Sequence, residues 1–115
     1  MAVDLTDLEG LILWRKVLVK VVRDRVPDLS QRQIALLLTV YLTSGPHTVR
    51  GLAANLDVAK PVVSRALDRL CRLEFLRRKT DENDRRNVLV QRTVKGSIFL
   101  SEFGAAIVAA AGESD

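Results

Sequence analysis

The chain has 115 residues, of which 48% are hydrophobic, and its formal net charge at pH 7 is +4. This length suffices for one hydrophobic core of ordinary size, so we expect a single domain over residues 1–115. The chain contains one cysteine and one histidine, which excludes an intrachain disulfide and makes a Cys/His zinc site implausible. We therefore predict no metal and no cofactor. The sequence begins without a signal-peptide pattern, and no apolar run approaches the roughly 18 residues of a membrane span. We therefore expect a cytoplasmic protein with no membrane partner.

Basic residues are concentrated in the middle of the sequence. Residues 1–46 carry six Lys/Arg and five Asp/Glu, residues 47–96 carry twelve and six, and residues 97–115 carry none and three. A concentrated basic region favours a polyanionic partner such as nucleic acid. The alternative is an ordinary solvated surface, which explains most scattered Lys and Arg residues.

Two capping boxes predict the first two helices. Thr6 and Glu9 open a helix that runs to about Arg25, and Ser30 and Gln33 open a strongly apolar core helix. The apolar residues of the first helix cover roughly 220° of the helical wheel, more than a surface helix needs to cover one core. Such a wide arc favours contact with a second subunit, and the alternative is a central helix buried within its own domain.

Two short helices follow, separated by a tight turn. Thr48 can cap the first, over residues 49–56, and the second covers residues 60–73. Pro61 suits the first turn of the second helix, because its missing N–H would have no partner there. One face of the second helix is apolar, and the other is basic and able to form hydrogen bonds. This basic face comprises Pro61, Ser64, Arg65, Asp68, Arg69 and Arg72. The arrangement predicts a helix-turn-helix.

A hairpin and a last helix complete the predicted fold. Residues 75–79 and 87–92 are predicted strands. The polar segment between them is rich in turn-forming residues and ends in Arg85 and Arg86, so it predicts a hairpin wing with arginines at its tip. An ordinary solvated turn is the alternative. Thr93 is predicted to cap the last helix, which contains an uncharged apolar segment.

The predicted fold class is therefore mainly α with a small β-hairpin wing, a winged helix-turn-helix. Residues 48–92 form the helix-turn-helix and wing. Residues 1–26 and 93–115 are the expected dimerisation helices, because both segments carry more apolar surface than one small core can cover.

Residues 48–96 resemble the MarR family of bacterial winged-helix transcription regulators. The family pattern has a Ser-Arg pair in the second helix of the helix-turn-helix, a wing that ends in Asp-x-Arg, and Thr-x-x-Gly at the next helix. The corresponding residues here are Ser64 and Arg65, Asp84 and Arg86, and Thr93 and Gly96. Two positions depart from the pattern: Glu74 stands where the family usually has Gly, and Arg92 where it usually has Leu.

The resemblance implies a homodimer that binds a roughly palindromic double-stranded DNA site and regulates transcription. The recognition helices would enter the major groove and the wing arginines the minor groove. The candidate DNA-binding residues are Thr48, Lys60, Pro61, Ser64, Arg65, Asp68, Arg69, Arg72, Arg78, Asp84, Arg85 and Arg86. The candidate dimer contacts are Leu8, Leu11, Trp14, Leu18, Phe103 and Ile107. Many relatives also bind a small-molecule effector, which this sequence does not identify.

The chemistry of the side chains suggests different roles within this set. Arg65 is the best candidate for bidentate contact with guanine. Arg78, together with basic residues at both ends of the recognition helix, is expected at phosphates, which fix register without reading sequence. Asp84 should orient Arg86 by a charge-assisted hydrogen bond, and Asp68 should orient a neighbouring arginine.

Two alternatives use the same features. A winged helix can serve as a protein-interaction module, such as an adaptor or antirepressor, without sequence-specific DNA binding. Cys71 can be a redox sensor or a partly buried packing residue, and we expect packing because the chain holds no resolving cysteine. An enzyme is not expected, since no nucleophile-base pair, carboxylate pair or phosphate-binding glycine loop is found in the sequence.

Overall fold

The computed structural model describes residues 3–113. Its elements in chain order are α1 (Asp7–Arg23), α2 (Gln31–Leu42), β1 (His47–Thr48), α3 (Val49–Leu56), α4 (Lys60–Arg72), β2 (Leu76–Thr80), β3 (Val88–Arg92) and α5 (Val94–Ala111). The predicted class, mainly α with a small β-hairpin wing, is confirmed.

The chain groups into two compact units. One comprises Leu29–Phe99 and is called here the winged-helix unit; the other comprises Met1–Asp28 and Leu100–Asp115 and is called the terminal unit. That residues 1–115 unfold as a single domain stays a prediction.

The winged-helix unit contains most of the buried apolar residues. Its buried side chains come from all three of its complete helices, from both strands of the wing and from the turn before β2. They are Leu36, Leu37, Val40, Val49, Leu52, Ala53, Val63, Ala66, Leu67, Leu70, Phe75, Leu76 and Val90. Spacings of three and four residues within α2 and α4 place these side chains on one face of each helix. The opposite face of α4 is thereby left to solvent.

Side-chain caps define where the helices begin, as predicted. Both capping boxes form, with Thr6 bonded reciprocally to Glu9 and Ser30 to Gln33. The hydroxyl of Thr48 accepts a hydrogen bond from the Gly51 N–H at the start of α3. These bonds satisfy amide donors that have no partner within the first helical turn.

The sheet has three antiparallel strands in the order β1-β3-β2. Leu76 pairs with Arg92 and Thr80 with Val88, which gives the predicted hairpin. Strand β1 is an addition to the prediction: His47 pairs with Val90 and Thr48 with Leu89. Two residues show no period-two pattern, so the sequence alone gives no sign of this strand.

The terminal unit contains α1 and the greater part of α5, and its apolar residues are mostly exposed. Among its described residues the buried apolar side chains are Val17, Ala106 and Ala110. Lys16 lies 3.9 Å from Glu113 in an ion pair within this unit.

Helix α5 corrects one sequence-based expectation. Its 18 residues have a mean hydropathy of 1.4, so by length and composition alone the helix could cross a membrane, and 17% of them are buried. The prediction considered only uncharged runs, whereas a span tolerates a few charges such as Lys95 and Glu102. The same composition occurs in core helices of proteins that contain no membrane segment.

Candidate nucleic-acid interface

Helix α4 presents its basic face to solvent. It begins at Lys60 with Pro61 in its first turn and without a side-chain cap. Arg65 is exposed, whereas Ser64 and Arg69 are half-buried. Because Arg65 makes no ion pair or hydrogen bond with any residue in 3–113, its guanidinium is available to an external partner. Contact of Arg65 with a base stays a prediction.

Arg78 joins the wing to the recognition helix. Its Nη2 donates to the backbone oxygen of Ser64 and to Oδ1 of Asp68, each at 2.8 Å. The expectation that Asp68 orients a neighbouring arginine thus has a structural counterpart. Arg78 was predicted to meet a phosphate, and that contact stays a prediction, because a guanidinium held at two points has fewer donors left for DNA.

Asp84 holds Arg86 at the tip of the wing, as the sequence predicted. Oδ1 of Asp84 accepts from the Arg86 backbone N–H at 3.2 Å and from Nε at 3.0 Å, and Oδ2 accepts from Nη2 at 3.2 Å. These bonds, and then the positive charge of Arg50, lower the pKa of Asp84 below its ordinary value. The carboxylate of Asp84 therefore stays charged to a lower pH than an ordinary aspartate does, which extends the range over which the pair with Arg86 forms.

A cleft lies between α3, α4 and the tip end of the wing, with a volume of about 210 Å³. Its lining residues are Val49, Arg50, Lys60, Ser64, Arg78, Arg86, Asn87 and Val88. Arg50 and Asn87 were not among the sequence candidates. The sequence does offer a sign for Arg50: it lies two residues after the cap Thr48 and two before Leu52, which the helical repeat places on the opposite side of α3.

The other candidate residues fall into two groups. Lys60, Pro61, Arg72 and Arg85 are exposed, which is compatible with contact to DNA. The hydroxyl of Thr48 already accepts the capping bond of α3, so a role in DNA binding would use its remaining donor capacity.

A hydrogen-bonded junction lies beneath the wing. The hydroxyl of Tyr41 accepts from the Thr93 N–H at 2.9 Å and lies 2.8 Å from the Phe75 oxygen, to which it donates. Thr93 in turn caps α5, accepting from the Gly96 N–H at 2.9 Å. A Cβ atom at Gly96 would overlap the Tyr41 hydroxyl and the Phe75 oxygen, so this position requires glycine.

The two departures from the family pattern have different consequences. Arg92 donates through Nε to the Val40 oxygen at 2.9 Å and through Nη2 to the Thr43 oxygen at 3.2 Å. It thereby satisfies carbonyl groups at the end of α2, which an apolar leucine could not. Glu74, in contrast, has φ of 65°, a left-handed conformation that costs a non-glycine residue about 1–2 kcal/mol.

Cys71 is half-buried in the winged-helix unit. Burial raises the pKa of its thiol above the ordinary value, an effect opposed by the positive charge of Arg78. A raised pKa lowers the thiolate fraction and therefore the reactivity toward oxidants. The structure thus supports the packing role predicted for this residue.

The predicted dimer contacts expose apolar surface on both helices of the terminal unit. Leu8 and Leu11 are 66% and 68% exposed, Trp14 is 45% exposed and Ile107 is 37% exposed. Leu18 is also exposed, and Phe103 is half-buried. Exposed apolar residues this numerous on a short chain are typical of an interaction surface.

Comparison with known proteins places these features in one family. The MarR family model matches residues 29–88, more than half of the chain. Among curated protein sequences none matches. The chain is similar to the crystal structure of transcriptional regulator Tm0710 from Thermotoga maritima, with 26% identity and a TM-score of 0.70 over 87% of this chain and 68% of that chain. It is also similar to the crystal structure of MarR, with 26% identity and a TM-score of 0.67 over 91% of this chain and 78% of that one.

A structure of the S. aureus MepR–DNA complex has the same fold, with 20% identity and a TM-score of 0.74 over 89% of this chain and 81% of that one. The winged-helix fold predicted from the sequence is confirmed by these similarities, and the resemblance to the MarR family is confirmed by the match over residues 29–88. The chain belongs to the MarR family of transcriptional regulators.

Proposed function

We propose that two copies of this chain form a homodimer that binds a specific, roughly palindromic DNA sequence and regulates transcription from it. In each copy α4 enters the major groove and the wing tip enters the minor groove. The observation that carries this proposal is the pairing of Arg86 with Asp84, which fixes the direction of a fully exposed arginine at the tip of the wing. A narrow minor groove attracts such an arginine through its negative potential.

Base reading is assigned to α4. Arg65 projects from its solvent face without a partner among the described residues, and a guanidinium can bond both acceptors of guanine in the major groove. The exposed cations Lys60 and Arg72, at the two ends of the helix, would contact phosphates on either side. The exposed apolar residues of α1 and α5 would form the contact between subunits, which sets the spacing of the two half-sites.

The experiment is selection of bound duplexes from a random pool, followed by titration of the selected duplex at several salt concentrations. We expect a selected sequence with twofold symmetry and an affinity that falls steeply with salt, because each neutralised phosphate releases counterion. Arg65→Ala should weaken binding by about 1–3 kcal/mol and relax the base preference. Arg86→Ala should weaken binding with little change in thermal stability.

A protein with no selected sequence and a salt-independent affinity would contradict the proposal. That result, combined with stable binding of a different protein by the same winged-helix unit, would favour a protein-interaction module such as an adaptor. Arg77→Ala is the matched control for the arginine variants. Arg77 is exposed on β2 and bonds Gln91 of the neighbouring strand at 3.2 Å.

A further inference from the structure

The cleft between α3, α4 and the wing holds more positive charge than its nearby carboxylates neutralise. Four basic side chains line it, and no acidic side chain does so. Two of the four are already paired, Arg78 with Asp68 at 2.8 Å and Arg86 with Asp84 at 3.0 Å. The remaining two are Arg50 and Lys60.

Arg50 and Lys60 approach the cleft from different helices, and neither forms a hydrogen bond or ion pair with any residue in 3–113. Both are exposed. Two like charges at one cleft repel each other, so an anion between them would be stabilised by both. The lining of the cleft therefore contains no negative group that would balance the charges of Arg50 and Lys60.

We propose that this cleft binds one backbone phosphate of the bound DNA duplex, and that Arg50 is its principal ligand. The inference rests on the proposed DNA binding and adds a contact from α3. Among the candidate residues predicted from the sequence, only the cap Thr48 belongs to this helix. Arg50 would bond two phosphate oxygens through its planar guanidinium, and Lys60 would contribute a point charge from α4.

The geometry favours Arg50 over the two paired arginines. Arg78 is tied to the Ser64 oxygen and to Asp68, so a phosphate would have to compete with both bonds. Arg86 uses its Nε and Nη2 on Asp84. Arg50 competes with no hydrogen bond, and its charge also reaches Asp84, which places it near the wing as well as on α3.

The size and walls of the cleft suit a hydrated phosphate. A volume of about 210 Å³ leaves room for a phosphate group and water molecules around it. The half-buried Ser64 and Asn87 add polar groups beside the cations, and the buried Val49 limits access of bulk water from one side. Because α3, α4 and the wing all meet here, one bound phosphate would fix their common register on the duplex.

The test compares Arg50→Ala and Arg50→Lys with wild type on a duplex selected by the wild-type protein. Arg50→Ala should lower the slope of log K against log salt by about 0.9, the value expected for one phosphate contact, for specific and random duplexes alike. Arg50→Lys should keep the slope. Arg77→Ala, which removes the same charge from a side chain bonded to Gln91, should leave the slope close to that of wild type.

A scan with single neutral methylphosphonate linkages locates the phosphate. One linkage in each half-site should weaken wild-type binding more than it weakens binding by Arg50→Ala, since both changes remove the Arg50 contact while the Lys60 contribution is lost in either protein. An unchanged salt slope in Arg50→Ala, or equal sensitivity of variant and wild type at every linkage, would overturn the inference. If Arg50→Ala does not fold, as judged by thermal unfolding, Arg50→Gln serves as the neutral variant.

The experiment separates this inference from the proposed function. A wild-type protein that binds no duplex would contradict the function itself. If the wild-type protein binds with a steep salt dependence and Arg50→Ala binds in the same way, the proposed function stands and Arg50 has no part in it.

Discussion

The winged-helix unit and the terminal unit use similar apolar residues in opposite ways. Leu36, Leu37 and Leu67 of the winged-helix unit are 0% exposed, whereas Leu8 and Leu11 of the terminal unit are 66% and 68% exposed. Burial of apolar surface contributes about 25 cal/mol per Å² removed from water. The first unit therefore gains its stability from its own core, whereas the second leaves most of its large apolar side chains in contact with water in the single chain.

The comparison shows that apolar composition alone does not identify a core. The terminal unit is apolar along both of its helices, yet its buried residues in the described range are Val17, Ala106 and Ala110, two of which are alanines. An alanine contributes little apolar area compared with a leucine. The unit's large apolar side chains are thus placed for contact with another molecule, and the proposed homodimer supplies that molecule in the form of a second copy.

Removing a large side chain from the winged-helix core should have the largest effect on stability. Leu67→Ala removes a fully buried side chain of α4 and should lower the free energy of unfolding by about 2–5 kcal/mol. Denaturant unfolding monitored by circular dichroism measures this change. A loss below about 1 kcal/mol would mean that the winged-helix core is not the main source of stability.

Two exposed leucines, one in each unit, should behave differently in self-association. Leu11→Ala should raise the dimer dissociation constant by at least about 10-fold, because burying a leucine contributes about 1.5–3 kcal/mol and a homodimer loses two such side chains. Leu42→Ala is the matched control, since Leu42 is 74% exposed and lies in the winged-helix unit. Sedimentation equilibrium measures both, and equal effects of the two variants would remove α1 from the dimer interface.

The sequence predicts best those features that depend on nearby residues. Both capping boxes, the Thr48 cap and the Asp84–Arg86 pair join residues two or three positions apart, and all are present in the structure. Such contacts follow from spacing alone, whatever the rest of the chain does.

Contacts between distant residues could not be predicted in this way. Strand β1 pairs with β3 about forty residues later, Arg92 bonds carbonyl groups of α2, and Arg78 pairs with Asp68 across two elements. No periodic pattern links such positions, because they meet only after the helices have packed. For the same reason the sequence could indicate Arg50 only as an exposed residue of α3, and its place at the cleft followed from the packing of α3, α4 and the wing.

The two glycines of α5 should respond in opposite directions to substitution by alanine. Gly96→Ala should destabilise the winged-helix unit by about 1–3 kcal/mol, since the added Cβ overlaps the Tyr41 hydroxyl and the Phe75 oxygen. Gly104→Ala meets no atom within 4 Å and should stabilise by about 0.5–1 kcal/mol through helix propensity. Thermal unfolding distinguishes the two. If Gly104→Ala instead weakens self-association, this glycine permits close approach of the partner subunit.

Relief of backbone strain should give the smallest effects, one in each unit. Glu74 in the winged-helix unit has φ of 65°, and Arg25 in the terminal unit has φ of 56°. The variants Glu74→Gly and Arg25→Gly place glycine, which tolerates this conformation, at these two positions. Each relieves about 1–2 kcal/mol of left-handed strain, offset in part by the greater flexibility of glycine in the unfolded chain, so a net gain of about 0.5–1 kcal/mol is expected.

Scanning calorimetry of both variants also tests whether residues 1–115 unfold as one domain. A single cooperative transition raised by either substitution supports one domain, whereas two transitions, each raised by only one of them, would show that the two units unfold independently.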